Sequence, residues 1–172
     1  MKLIRNFKIN LRQGYIFREL KKRKIDISEE ILAEKIKEIQ KNIKPATVYD
    51  SFKPDVFRGY FELGKSIAIS LSSITLGKDV ESLEKNEITD VSLKDGLDVA
   101  RHFIFKLIEM EAEEEHCEVT EPIEIDSPKI FENYKILKEV DFSKIGVKFE
   151  YNKIFPEYTK FFAINWLLKK KK

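Results

Sequence analysis

The chain has little of what several protein classes require. Among its 172 residues are 6 Gly, 5 Pro and one Cys, so the composition excludes collagen, low-complexity segments and disulfide-rich scaffolds. Lys and Arg number 32 against 30 Asp and Glu, without the basic excess typical of a dedicated nucleic-acid binder. No apolar run approaches the roughly 18 residues that a membrane helix needs. We therefore expect one soluble domain over residues 1–172, with neither nucleic acid nor membrane as its partner.

The N-terminus lacks the apolar run and small-residue cleavage site of a secretory signal, and the single Cys117 cannot form an internal disulfide. Both features favour a reducing cytoplasm. Lys, Glu and Ile occur 26, 21 and 22 times beside two Gln, which is a compositional bias typical of thermophile proteins.

Hydrophobic periodicity predicts a mixture of strands and helices without strict alternation. This pattern favours an α+β class with a single domain. The predicted strands are residues 3–11, 48–49, 66–76 and 146–151. Two short helices are predicted at 16–23 and 130–137, and a longer one runs from Asp26 or Ser28 to Pro45. The longest helix is predicted to start at a capping box of Ser92 and Asp95 and to end in 111–115, and residues 161–168 form a last amphiphilic segment.

Residues Gly59–Ser66 read GYFELGKS and satisfy the phosphate-binding pattern G-x-x-x-x-G-K-[ST]. A working P-loop needs a buried strand before the first Gly and a helix after the Ser. Here Pro54 and several charges precede the pattern, and the residues after Ser66 alternate like a strand. We interpret the match as accidental.

Metal ligands and catalytic groups are sparse. His102, His116 and Cys117 are the only soft ligands, too few for a typical zinc site, so no metal is predicted. His102 is interpreted as a partly buried structural residue, and His116 and Cys117 as part of a solvated helix end. No G-x-S-x-G pattern occurs, and no catalytic residue is assigned.

Two charged segments stand out within the near-neutral total. An acidic stretch from Glu109 to Glu118 disfavours polyanions and suits a basic protein partner. Lys169–Lys172 form a basic tail, interpreted as a solvated terminus or as a weak contact for anionic lipid or RNA.

Several short motifs occur in an order that resembles the activation domain of cobalamin-dependent methionine synthase. Lys44-Pro45-Ala46-Thr47-Val48-Tyr49 is similar to that family's Arg-Pro-x-x-Val-Tyr, and Ile74-Thr75-Leu76-Gly77 to its strand ending in Thr-Leu-Gly. Ile145–Glu150 resembles Ile-Gly-Val-x-Leu-x-Glu, and Phe155–Thr159 resembles Met-x-Pro-x-x-Ser. Asp26–Glu30 is similar to the acidic start of a family helix.

The resemblance implies a curved, largely antiparallel sheet flanked by helices. It implies a role in restoring an oxidised corrinoid: the domain docks on a corrinoid-binding protein or a methionine synthase and presents S-adenosylmethionine, while cobalamin stays with the partner. Glu150, Pro156 and Thr159 are the positions that match the family's ligand cleft.

The chain also departs from the family. The motif Arg-x-x-x-Gly-Tyr is missing, because no Arg and no Gly occurs between Glu115 and Ile145. Thr159-Lys160-Phe161-Phe162 replaces the small Ser-x-Ser-Gly that gives a ligand close access to the backbone. We hypothesise a divergent member in which S-adenosylmethionine binding is weakened or lost. The alternative is a non-catalytic interaction module on the same fold, using the acidic helix end with Tyr151, Phe155 and Tyr158.

Overall fold

The computed structural model describes residues 1–57, 59, 64–125, 139–151 and 153–169. Helices and a curved antiparallel sheet combine in one α+β domain, as the sequence predicted. The helices are α1 (Gln13–Lys22), α2 (Glu29–Asn42) and α3 (Glu87–Glu114); the strands are β1 (Lys2–Arg5), β2 (Ala46–Phe52), β3 (Ala68–Thr75), β4 (Cys117–Val119), β5 (Ile123–Glu124), β6 (Lys148–Glu150), β7 (Lys153–Phe155) and β8 (Thr159–Leu168).

The sheet has the order β1-β2-β3-β8-β4, and β5 also pairs with β8. Each of these pairs is antiparallel, and β6 and β7 form a separate hairpin. The amphiphilic segment of the sequence is therefore β8, an interior strand that pairs with β3 on one side and with β4 and β5 on the other. A strand was predicted at residues 146–151, and β6 lies there; among the described strands it pairs with β7 and does not join the large sheet.

Side chains alternate between the two faces of the sheet because strand residues have a period of two. Tyr49, Ile74 and Trp166 lie on the face that packs against α3, which we call the helix face. Val48 and Phe161 lie on the opposite face. That face is covered by four buried side chains from residues 140–147, namely Val140, Phe142, Ile145 and Val147.

Two sequence predictions about helix starts have clear outcomes. Ser28 caps α2, since its hydroxyl accepts the Ile31 N–H at 3.3 Å. The predicted start of α3 at Ser92 is wrong: Asn86 caps the helix by accepting the Thr89 N–H at 2.9 Å. The predicted helix at 130–137 lies outside the described residues.

The first predicted strand is shorter than its alternating pattern. β1 ends at Arg5, and Asn6 has a positive φ of 53°. Beyond Asn6, the backbone hydrogen-bonds to the side chain of Gln40 in α2 instead of to a neighbouring strand. This side chain donates to the Ile9 carbonyl at 3.0 Å and accepts the Leu11 N–H at 3.1 Å. The alternation of apolar and polar residues therefore continues to Leu11, although strand β1 ends at Arg5.

Candidate functional site

Two of the motifs that carry the family resemblance contact each other. The Lys44 N–H donates to the Leu76 carbonyl at 2.9 Å, and Ala46 lies opposite Thr75 in the β2–β3 register. Gly77 has a φ of +90°, and a Cβ there would lie 2.9 Å from the Lys44 carbonyl oxygen. The contact therefore depends on a residue without a side chain.

Beside this contact lies a small polar area on the opposite face. Thr159 begins β8 and lies directly opposite Thr75 of β3. Ser73 lies on β3 two residues before Thr75, on the same face of the sheet. The Thr75 hydroxyl accepts the Gly77 N–H at 3.1 Å. In the described part of the chain, the hydroxyl oxygens of Ser73 and Thr159 are buried and have no hydrogen-bond partner. We call Ser73, Thr75 and Thr159 the hydroxyl patch.

The two unpartnered hydroxyls need a physical explanation. A buried polar group without a partner costs about 1–3 kcal/mol, and most buried polar groups in proteins are paired. Ser73 is fully buried and lies opposite Val48 and Phe161 in the sheet, and Thr159, which is half-buried, lies opposite Thr75. A bound polar molecule would supply the missing hydrogen bonds, so the patch is a candidate ligand site.

The structure separates the three residues predicted for the ligand cleft. Pro156 is buried just before β8, three residues from Thr159. Glu150 is exposed on the hairpin, where it lies opposite Lys153. Its neighbour Phe149 faces inward and packs on Phe161, with ring centroids 5.7 Å apart. Thr159 thus belongs to the patch, whereas Glu150 lies outside it.

Sequence reasoning missed a cavity of about 360 Å³ on the helix face. It lies between residues 80–93, at the start of α3, and Glu157 and Tyr158. Tyr158 and Thr159 are consecutive, so alternation sends Tyr158 toward this cavity and Thr159 toward the hydroxyl patch. The signal available was Asn86 followed by the acidic residue Glu87, a good helix start.

Asp90 connects three elements at the edge of this cavity. Its carboxylate accepts the Tyr158 hydroxyl at 3.4 Å, Lys94 at 2.8 Å and Arg23 of the α1 end at 3.3 Å. Burial acts to raise the pKa of Asp90, but the hydrogen bonds and charges of Lys94 and Arg23 outweigh it and lower that pKa. Burial and the charge of Asp90 raise the pKa of Tyr158 to about 12, so its hydroxyl remains a donor at neutral pH.

These contacts predict how stability depends on pH. An Asp whose pKa is lowered on folding contributes its full stability above the unfolded value of about 3.9, and loses it as pH falls through the folded value. Asp90→Asn should therefore lower the free energy of unfolding by about 0.5–1 kcal/mol at pH 7, the range of partly exposed ion pairs. The difference from wild type should shrink toward pH 2 in urea titrations. A difference that stays constant across this range would contradict the assignment.

The P-loop-like match does not have the context of a phosphate site. β3 begins two residues after Ser66, so a strand follows it, as predicted, and a short 3-10 turn at Pro54–Phe57 precedes it. Tyr60–Leu63, within the match, lie outside the described residues.

Two interpretations of the possible metal ligands are wrong. His102 is exposed on α3 rather than partly buried, and Cys117 is buried in β4 with 1% of its surface exposed rather than solvated. The reason is that β4 joins the sheet at Cys117, whose side chain packs in the core between the sheet and α3. Among the described residues, no group of three His, Cys, Asp or Glu side chains could hold a metal ion.

The acidic helix end is partly neutralised within the chain. Glu111 accepts the Tyr49 hydroxyl at 2.6 Å and pairs with Lys2 at 2.7 Å, and Glu113 lies 3.8 Å from Lys169. This end and Tyr158 lie near opposite ends of the 28-residue α3, because Tyr158 contacts its first turns. Tyr158 therefore does not share a surface with the acidic helix end.

Comparison with models of known protein families gives no match. A comparison with curated proteins likewise finds no relative of significant similarity. Within the described residues, no helix combines the length and apolar character that crossing a membrane requires.

Proposed function

We propose that this protein is an accessory factor of a corrinoid methyltransferase, such as a methionine synthase, and that it holds S-adenosylmethionine at the hydroxyl patch. The observation that carries the proposal is the pair of buried, unpartnered hydroxyls at Ser73 and Thr159. Further support comes from the α+β fold with a curved antiparallel sheet, and from the contact between the motifs at Lys44–Tyr49 and Ile74–Gly77.

In this proposal the chain itself binds the methyl donor and excludes water, and it supplies no reacting group. When bound, S-adenosylmethionine would supply a methyl group to a corrinoid held by the partner and reduced by an external one-electron donor, and would leave as S-adenosylhomocysteine. Ser73 and Thr159 would hydrogen-bond polar groups of the ligand. Phe142 and Phe161, whose rings pack edge to face 5.0 Å apart on the same face of the sheet, would keep water from the site. Because the family's Arg-x-x-x-Gly-Tyr motif is missing, weak binding is expected.

Calorimetry on isosteric variants tests the ligand role. Ser73→Ala and Thr159→Val should each weaken S-adenosylmethionine binding about fivefold to tenfold, the value of one hydrogen bond of about 1 kcal/mol or slightly more. Both variants should be at least as stable as wild type, since each removes an unpaired buried polar atom. Thr120→Val is the control: its hydroxyl accepts the Asn165 N–H at 3.3 Å and lies outside the patch, so binding should not change.

The outcomes separate the alternatives. Absence of heat at millimolar S-adenosylmethionine would end the methyl-donor role and leave only a scaffold role with the corrinoid partner. Unchanged affinity in both patch variants would place the ligand elsewhere. A stability loss above 1 kcal/mol in both variants would show that the hydroxyls are already paired in the folded protein.

A second candidate, an interaction module without a ligand, is favoured by one observation. Tyr151 is 95% exposed at the tip of the β6–β7 hairpin, and Phe155 on the same hairpin is 39% exposed. Large aromatic side chains are frequent anchors of protein interfaces. Co-sedimentation with the corrinoid protein that is lost in Tyr151→Ala, but kept in Ser73→Ala, would favour this module.

A further inference from the structure

The cavity on the helix face is separate from the hydroxyl patch, and it has an apolar floor. Val80 and Leu93 are 2% and 0% exposed, and Leu83 and Tyr158 complete the lining around them. Its volume of about 360 Å³ falls in the range of small-molecule sites. Such a floor suits the apolar body of a ligand rather than a hydrated inorganic ion.

Thr89 supplies a hydroxyl at the wall of the cavity. Thr89 lines the cavity and is 9% exposed as a residue. Its backbone N–H is bound by the Asn86 side chain, and its hydroxyl makes no hydrogen bond to another described residue. The hydroxyl oxygen is not among the fully buried unpartnered atoms, so solvent reaches it, and a polar group of a ligand can bond it from the cavity.

The charge of the rim indicates which kind of ligand. Four carboxylates line the cavity against one amine, Lys85: they are Glu81, Glu87, Asp90 and Glu157. Arg23 pairs with Glu87 and Asp90, which also lie in the first turn of α3 and oppose the positive end of its dipole.

Glu81 is the carboxylate that these cations leave available. Its Oε1 accepts the Glu157 N–H at 3.0 Å, and it makes no ion pair within the described part of the chain. Glu157 faces Lys85 at 3.4 Å, but both side chains are mostly exposed, at 65% and 82%, so this pair is weak. Glu81 is itself exposed, so the rim keeps an unpaired but solvated negative charge beside an apolar floor.

We propose that this cavity binds a small organic cation with an apolar body. The ammonium group pairs with Glu81, the body packs on Val80 and Leu93, and a polar group of the ligand bonds the Thr89 hydroxyl. The site is distinct from the hydroxyl patch and does not depend on the methyl-donor role.

Three compounds of one shape provide the probe: benzylammonium, benzyl alcohol and benzoate, titrated into the full chain and followed by NMR shifts. Benzylammonium should bind about twofold to fivefold more tightly than benzyl alcohol, and benzoate most weakly. Glu81→Gln should reduce the benzylammonium affinity to that of benzyl alcohol, because the substitution removes the negative charge. It leaves the local structure in place, because Gln keeps the oxygen that accepts the Glu157 N–H. Thr89→Val should weaken benzylammonium about threefold to fivefold.

Glu84→Gln is the matched control, because Glu84 is exposed nearby but does not line the cavity. Equal binding of benzylammonium and benzyl alcohol to wild type, or equal losses in Glu81→Gln and Glu84→Gln, would overturn the proposal. Ser73→Ala should leave benzylammonium binding unchanged. Loss of S-adenosylmethionine binding in Glu81→Gln, with none in Ser73→Ala, would support the cation site and contradict the placement of the methyl donor at the patch.

Discussion

Replacing Asp95 by Asn should lower the free energy of unfolding by about 3 kcal/mol. The Asp95 side chain is 0% exposed within α3, and its carboxylate accepts the Arg12 backbone N–H at 2.7 Å and the Arg12 guanidinium at 2.6 Å. Removing one partner of a buried ion pair costs about 3–5 kcal/mol. We expect the lower end because Arg12 is 47% exposed and can turn toward water.

Asp98 provides the matched control for this prediction. It pairs with the same Arg12 at 2.8 Å and with Arg101 at 2.9 Å, but its side chain is 45% exposed. Asp98→Asn should therefore cost less than about 1 kcal/mol in the same urea titrations. Similar losses in the two variants would show that burial of Asp95 does not set the strength of the pair.

Asp95 also shows why local sequence patterns misplaced the start of α3. Ser92 and Asp95 have the spacing of a capping box, and a pattern of four residues contains no information about burial. The partner of Asp95 is Arg12, 83 residues away, which orients the start of α1 against α3. A contact of that separation is visible only once the chain has folded.

The fold class was predictable because strong periodicity marks most of the elements that build it. The strands predicted at 48–49 and 66–76 overlap β2 and β3, but their pairing with each other was not predicted. The patch was predictable only in part. Thr159 was singled out by resemblance, but Ser73 was not, because a serine inside an apolar strand gives no signal until its lack of a partner is known.

The cavity was not predicted because β8 begins at Thr159, two residues before the amphiphilic segment in the sequence. That difference decides where Tyr158 points. In the sequence, Tyr158 lies before the amphiphilic segment, and it was therefore grouped with Tyr151 and Phe155 as part of an interaction face. At the edge of the strand, its side chain instead takes the helix face and its hydroxyl contacts Asp90.

Replacing Gly77 by Ala should destabilise the protein by about 3 kcal/mol. Gly77 has φ +90° and ψ 167°, a conformation almost confined to glycine, which costs other residues about 1–3 kcal/mol. A Cβ would also lie 2.9 Å from the Lys44 carbonyl oxygen, which is backbone and cannot swing aside. To relieve this clash, Lys44 would have to move away, which would stretch the hydrogen bond from the Lys44 N–H to the Leu76 carbonyl that joins the two motifs.

Gly14→Ala is the control, and it should change stability in the other direction. Gly14 lies in α1, where a Cβ would meet no atom within 4 Å, so alanine should stabilise the helix by up to about 1 kcal/mol. Thermal unfolding of both variants measures the contrast. Because the Gly77 N–H also binds the Thr75 hydroxyl of the patch, Gly77→Ala should weaken S-adenosylmethionine binding as well, while Gly14→Ala should not. A Gly77→Ala protein as stable as wild type would show that the turn relaxes freely, and that the contact between the motifs does not shape the patch.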